Sequence, residues 1–256
     1  MNWKTFYALL SRDAHVLRRN LLPTLLQNLL QPLLFTFVFG KVLTTSGMMP
    51  AAYKNMLLPG VMAISMVMAG VQAVAMPLIT EFQFTREIED RLLAPIEIGW
   101  LAVEKIVAGM IQALVAGLVV IPAAWLIMGS GVRLDFGKPF EFLLVAMLVA
   151  LFSSSGGLAL GCSVGQTQIG LMFSLVLAPM MMFGCAYYPW SALEAFPILH
   201  VAVLANPLVY ASEGLRGALV PQVPHMNTLF VIGALAFIDL GLIYFGLKKF
   251  HQKAVT

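Results

Sequence analysis

Charge is scarce in this chain. Only 11% of its 256 residues are Asp, Glu, Lys or Arg, 60% are hydrophobic, and the mean hydropathy is +0.90. A soluble domain carries about 25% charged residues, so an ordinary water-soluble globule is excluded. Cysteine is scarce too. Cys162 and Cys185 both fall in apolar segments, with no CxxC or Cys/His spacing. That excludes the usual zinc and redox motifs and leaves two small buried side chains. No Walker A pattern occurs, so the chain has no phosphate-cradling loop with which to hydrolyse ATP by itself, and HExxH is absent. Signal-peptide layout is missing as well. The opening MNWKTFYALLSRDAHVLRRN is polar and charged, and no small-residue cleavage pattern follows the first apolar run. The first span is therefore expected to be retained.

What remains is hydrophobic length. A helix needs roughly 20 apolar residues to cross ~30 Å of hydrocarbon. Six spans are expected, at about 21–43, 57–80, 101–128, 140–165, 168–188 and 227–247. The third contains Pro122, a place to kink or emerge early. Only Gly165, Gln166 and Thr167 separate the fourth from the fifth, which predicts an antiparallel hairpin. The fold class is thus an all-α membrane protein, one transmembrane domain over residues 1–256.

The basic residues set the orientation. With the N-terminus inside, Lys4, Arg12, Arg18, Arg19, Arg86, Arg91, Lys105, Lys248, Lys249 and Lys253 face the cytoplasm. Lys41, Lys54, Arg133, Lys138 and Arg216 then face outward. Ten against five predicts N-in and C-in, and an even span count agrees with both termini on one side.

Three segments are not spans. Residues 1–20 are amphipathic: Trp3, Phe6, Tyr7, Leu10, Ala14 and Leu17 recur at helical spacing, with Lys4, Arg12, Arg18 and Arg19 on other faces. This suits a helix in the cytoplasmic interface, either a plain anchor or one that also meets a partner. Residues 81–98 carry Glu81, Arg86, Glu87, Glu89, Asp90 and Arg91 between two apolar runs. Such a mixed-charge loop either fixes topology or pairs with a soluble partner. Residues 189–222 are apolar in short pieces interrupted by Pro189, Pro197, Pro207 and Pro221. Two short helices that dip into the outer leaflet and return fit better than a disordered outer loop, since irregular backbone at that depth needs protein or a water-lined cavity.

Enzyme-like and carrier-like features are few. Gly161–Gly165 has the GxSxG form around Ser163, but a nucleophile elbow needs a strand-to-helix turn with a His nearby, and His200 is expected on the opposite side. Small residues for close helix packing explain it better, as they explain Ser153–Gly157. Asp239 is the one clear acid well inside a span. It is either a transport-path residue, as an ion-coupled secondary transporter would need, or a buried acid that is protonated or finds a polar partner. Met62, Met66, Met68, Met76 and Met180–Met182 either pack the bundle or line an adaptable apolar path.

Four segments, in order, carry a resemblance: the amphipathic N-terminal helix; Leu58-Pro59-Gly60-Val61 entering the second span; Arg86-Glu87-Ile88-Glu89-Asp90-Arg91-Leu92-Leu93-Ala94-Pro95; and Asn206-Pro207-Leu208-Val209-Tyr210 with Arg216. Together they resemble the membrane subunit of an ABC type-2 exporter, in the group of drug, Nod-factor and polysaccharide exporters. The resemblance implies an export permease for an amphipathic or lipid-linked substrate. It implies a second permease copy, two cytoplasmic ATPase subunits that bind the ATP and Mg, a bacterial inner membrane, and no nucleic acid. It makes Arg86, Glu87, Glu89, Asp90, Arg91, Leu92, Leu93 and Pro95 the ATPase-docking coupling helix. Trp3, Phe6, Tyr7, Arg12, Arg18 and Arg19 become a connecting helix. Asn206, Pro207, Tyr210 and Arg216 belong to a re-entrant hairpin at the outer gate. Where many members have Gly-Thr before the glutamate matching Glu89, this chain has Arg86-Glu87-Ile88.

Overall fold

The computed structural model describes residues 29–82, 98–129 and 132–255, and positions 10–12, 15, 23 and 26 of the segment before them. Among the described residues all regular structure is helical, as expected of chains whose backbone must satisfy itself without water. Eight helices matter: α1 Leu29–Thr45, α2 Tyr53–Thr80, α3 Ile98–Met128, α4 Pro139–Ser163, α5 Ile169–Met182, α6 Pro197–Ala205, α7 Pro207–Leu219 and α8 Thr228–Val255.

Four of these, α2, α3, α4 and α8, are long and apolar enough to cross a membrane. The bent pair α6–α7 makes a fifth if it counts as one span. α1 and α5 are shorter apolar helices over the described residues, so six full spans are not all visible as single long helices. α5 stops at Met182, six residues before the span expected to reach 188. Gly184 lies against Leu208 and Cys185 takes a left-handed backbone (φ 52°), a conformation that ends a helix and that hydropathy does not report. Upstream, α5 widens into a π-helical stretch at Met172–Leu177. Pro179 denies the Leu175 carbonyl its donor, and the wider turn accommodates the proline ring. α3, by contrast, runs through Pro122 without interruption. Its 31 residues span about 46 Å, more than the hydrocarbon core. α8 continues past 247 because Lys248, Lys249, Gln252 and Lys253 are good helix formers that need not be in lipid.

α2 is the central element, packed along α3, α4 and α7, while α8 lies on α4. Small residues set the spacing. A Cβ on Gly157 would fall 2.8 Å from the Val71 carbonyl oxygen, and one on Gly161 2.9 Å from Ala75 Cα. Such close approach between helices is how membrane bundles gain dispersion contacts without a hydrophobic driving force. The hydroxyls of Ser153 and Ser154 bond to Ala150 O, both at 2.9 Å, so these buried polar groups cost little.

The contacts sort the helix ends into two groups. At one end, Tyr53 and Lys54 of α2 meet Tyr187 and Met128, and Asp135 N–H donates to Leu219 O. At the other, Glu81 meets Lys105 and Lys253 meets Gly161. The ends of α2, α4 and α8 and the start of α3 therefore lie together. The turn Val164–Gln168, closed by Gln168 N–H to Gly165 O at 3.0 Å, reverses the chain between α4 and α5 as the short linker predicts.

Candidate functional site

The structure places Asn206, Pro207, Tyr210 and Arg216 on and beside α7, toward the end of the bundle opposite the Glu81–Lys105 pair. α6 and α7 meet at Asn206 with a bend of 96°. Asn206 has an extended backbone and caps α7: its Oδ1 accepts from Leu208 N–H at 3.0 Å, and Pro207 takes the first helical position. Both choices suit a helix start. The Asn206 amide also donates to Met180 O at 2.7 Å, fastening the corner to α5. Tyr210 O–H donates back to Leu204 O at 2.7 Å, across the bend. Trp190 stacks on His200 with ring centroids 3.9 Å apart, and its Nε1–H donates to His200 O at 3.0 Å.

Beneath this corner lies a residue that the sequence reading missed. Glu213 is 1% exposed and Arg216 fully buried, and the two form an ion pair, Arg216 Nη1 to Glu213 Oε1. Glu213 Oε1 also accepts from Trp190 N–H at 2.9 Å, and Oε2 accepts from Met226 N–H at 2.9 Å. Arg216 Nη2 donates to Cys185 O at 2.8 Å. One pair thus ties α7 to the loop after α5 and to the entry of α8. Charge-assisted bonds of this kind are about twice as strong as neutral ones. The sequence did hold a signal: an acid three residues before Arg216, at helical i,i+3 spacing, in an apolar stretch.

The same loop is seated on α2. Tyr53 O–H donates to Tyr187 O at 2.7 Å, and Gly60 faces the Ala186 carbonyl so closely that a Cβ has no room. Phe35 and Phe39 of α1 pack on the Tyr187 ring at 5.1 and 5.8 Å. Two apolar clefts border α5, and the larger adjoins the corner. One of about 380 Å³ lies between α1, α2 and α5, with Gln31, Phe35, Met68, Phe173, Met181 and Tyr187 among its walls. The other, about 480 Å³, lies between α5 and α6–α7 and includes Val176, Met180, Phe183, Leu199, Val203 and Pro207.

At the far end only the base of the charged loop is seen. Glu81 and Lys105 form a buried ion pair at 2.9 Å, joining the end of α2 to α3. Arg86, Glu87, Glu89, Asp90, Arg91, Leu92, Leu93 and Pro95 lie outside the described residues, as do Trp3, Phe6, Tyr7, Arg18 and Arg19. Arg12 is helical and exposed.

Asp239 sits midway along α8. It is 2% exposed, and neither carboxylate oxygen has a hydrogen-bond partner among the described residues. Among the described residues no charged side chain pairs with it, and Arg216 and Glu213 are bound elsewhere. Ser163 closes α4 beside the end of α8, whereas His200 belongs to the opposite corner. The structure therefore does not bring Ser163 and His200 together.

Comparison with known proteins gives one family. A family model described as ABC-2 type transporter matches residues 4–220, from the N-terminal segment to the end of α7. No curated protein matches the chain.

Proposed function

Because the chain belongs to the ABC-2 type transporter family, and so is the membrane permease component of an ABC transporter, we propose that it is an exporter subunit driven by a separate ATPase. The match over residues 4–220 carries the reading, and the absence of a Walker A pattern in this chain agrees with it. Residues 81–98 dock on the ATPase through Arg86, Glu87, Glu89, Asp90 and Arg91, with Leu92, Leu93 and Pro95 shaping the end of the coupling helix. Residues 1–20 brace that contact as a connecting helix. The common location of the loop base and the lysine-bearing end of α8 supports a cytoplasmic face there, with both termini inside.

The chain crosses the membrane six times, α1 and α5 included, and pairs with a second copy in a bacterial inner membrane. α6 and α7 form a re-entrant hairpin at the outer gate. Asn206, Pro207 and Tyr210 hold its corner, and Arg216 with Glu213 pins it to the loop after α5 and to the entry of α8. The apolar cleft beside it favours an amphipathic or lipid-linked substrate, whose polar part would not enter it. ATP-driven closure of the partner subunits displaces the loop and shifts the bundle between inward-open and outward-open arrangements. Affinity purification in mild detergent tests the reading: an ATPase with Walker motifs comes along with this chain.

A second reading has one observation in its favour. Asp239 is a buried acid without a hydrogen-bond partner among the described residues, as a proton-coupled carrier would require. That reading predicts transport dependent on an ion gradient and on Asp239, with no ATPase subunit.

A further inference from the structure

The last turns of α8 make contacts that an ordinary helix end does not need. Phe250 is fully buried, six residues from the C-terminus of the sequence. Its ring meets Phe82, the last described residue before the charged loop, edge to face at 5.8 Å. Lys253 is half-buried and folds back onto the bundle, where a lysine at the end of an apolar helix usually reaches for water. Its ammonium lies 5.0 Å over the Phe82 ring and donates to Gly161 O at 3.4 Å. Gly161 is in the last turn of α4, where carbonyls lack intrahelical donors and a cation is favoured.

The junction has no slack. Gly161 itself lies against Ala75 and Leu78 of α2. On its other flank the end of α2 is held by the Glu81–Lys105 pair. A close-packed contact of this sort moves as a unit rather than deforming.

We infer that Phe250 and Lys253 are positioning residues, which lock the end of α8 to the exit of α2 and the end of α4, so that displacement of the α2 exit is passed directly to α4 and α8. The inference rests on the exporter reading, in which nucleotide acts on the loop after Phe82. It adds a route: the C-terminal end of α8 follows the loop, and through α8 the motion reaches Met226 and the Glu213 pair at the opposite end.

The test uses the full chain with its copurifying ATPase in lipid nanodiscs, read by hydrogen exchange with and without ATP plus vanadate. In the wild type, nucleotide changes exchange at residues 76–82 and at 246–253 together. In Lys253→Met and in Phe250→Leu, the change at 246–253 shrinks by roughly fivefold or more while that at 76–82 persists. Lys253→Arg, which keeps the cation, responds as the wild type does; a merely space-filling role would not separate Arg from Met. A wild-type response at 246–253 in both Lys253→Met and Phe250→Leu overturns the inference alone. Absence of any copurifying ATPase from the wild type overturns the exporter reading, and this inference with it.

Discussion

Glu213 and Arg216 stand one turn apart on α7 as a buried ion pair whose other hydrogen bonds all leave the helix. The glutamate takes the amides of Trp190 and Met226, and the arginine takes the Cys185 carbonyl. A buried pair is weak evidence for stability when both partners could be replaced by apolar groups. Here the carboxylate also satisfies two backbone amides from distant loops, so it organises the corner rather than only neutralising Arg216.

Removing one partner leaves the other charged and buried. Glu213→Ala and Arg216→Ala are each expected to lower stability by roughly 3–5 kcal/mol, the cost of breaking a buried pair from one side. Glu213→Gln costs less than Glu213→Ala, because its amide oxygen still accepts from a backbone amide. Thermal unfolding of the purified variants in detergent gives the order.

Asn206 serves two helices with one side chain. Asn206→Ala loses the α7 cap, about 1 kcal/mol, and the bond to Met180 O. Asn206→Asp keeps the cap but replaces the donor to Met180 O with a carboxylate oxygen that repels it. Hydrogen exchange at residues 207–211 is expected to rise most in the alanine variant and less in the aspartate one.

Gly60 is fixed by the Ala186 carbonyl, which occupies the space a side chain would need. The obstacle is backbone on both sides, so neither helix nor loop can yield by turning a rotamer. Gly60→Ala is expected to cost about 1–3 kcal/mol, the range for overpacking a tight site, and Gly60→Val more. A milder effect of Gly156→Ala, where the nearest atom is a distant Leu242 methyl, is the control.

Asp239 separates the two transport readings. A buried polar group without a partner costs roughly 1–3 kcal/mol, so Asp239→Leu is expected to stabilise the protein by a similar amount. If the exporter reading holds, nucleotide-dependent changes at residues 76–82 survive Asp239→Asn. Their loss, with the ATPase still bound, would move Asp239 into the energy-coupling path.

Much of this architecture was legible from hydropathy alone. The stretches that became α2, α3, α4 and α8 are long and uniformly apolar, and in such segments the helix is the available way to satisfy the backbone. The prolines at 197 and 207 marked the broken α6–α7 pair, because each sits at a helix start. What hydropathy could not report was conformation at single residues. The end of α5 depends on Gly184 and Cys185, which read as apolar like their neighbours, and the π-helical turn depends on Pro179. Glu213 escaped because its importance is tertiary: its amide donors, Trp190 and Met226, are 23 and 13 residues away. The Phe82–Phe250–Lys253 contact joins residues far apart in sequence and leaves no periodic trace.

The central claim is that residues 81–98 are where an ATPase acts on this permease. The most direct measurement is copurification of the full-length chain from mild detergent, wild type beside a variant with Glu89→Lys, Asp90→Lys and Arg91→Glu, with the bound proteins identified by mass spectrometry. A Walker-motif ATPase is expected to accompany the wild type, and the charge-reversed loop to lose it or to hold it without nucleotide-dependent change at residues 76–82. A wild-type chain that purifies without any ATPase, or a reversed loop that binds and responds as the wild type does, would contradict it.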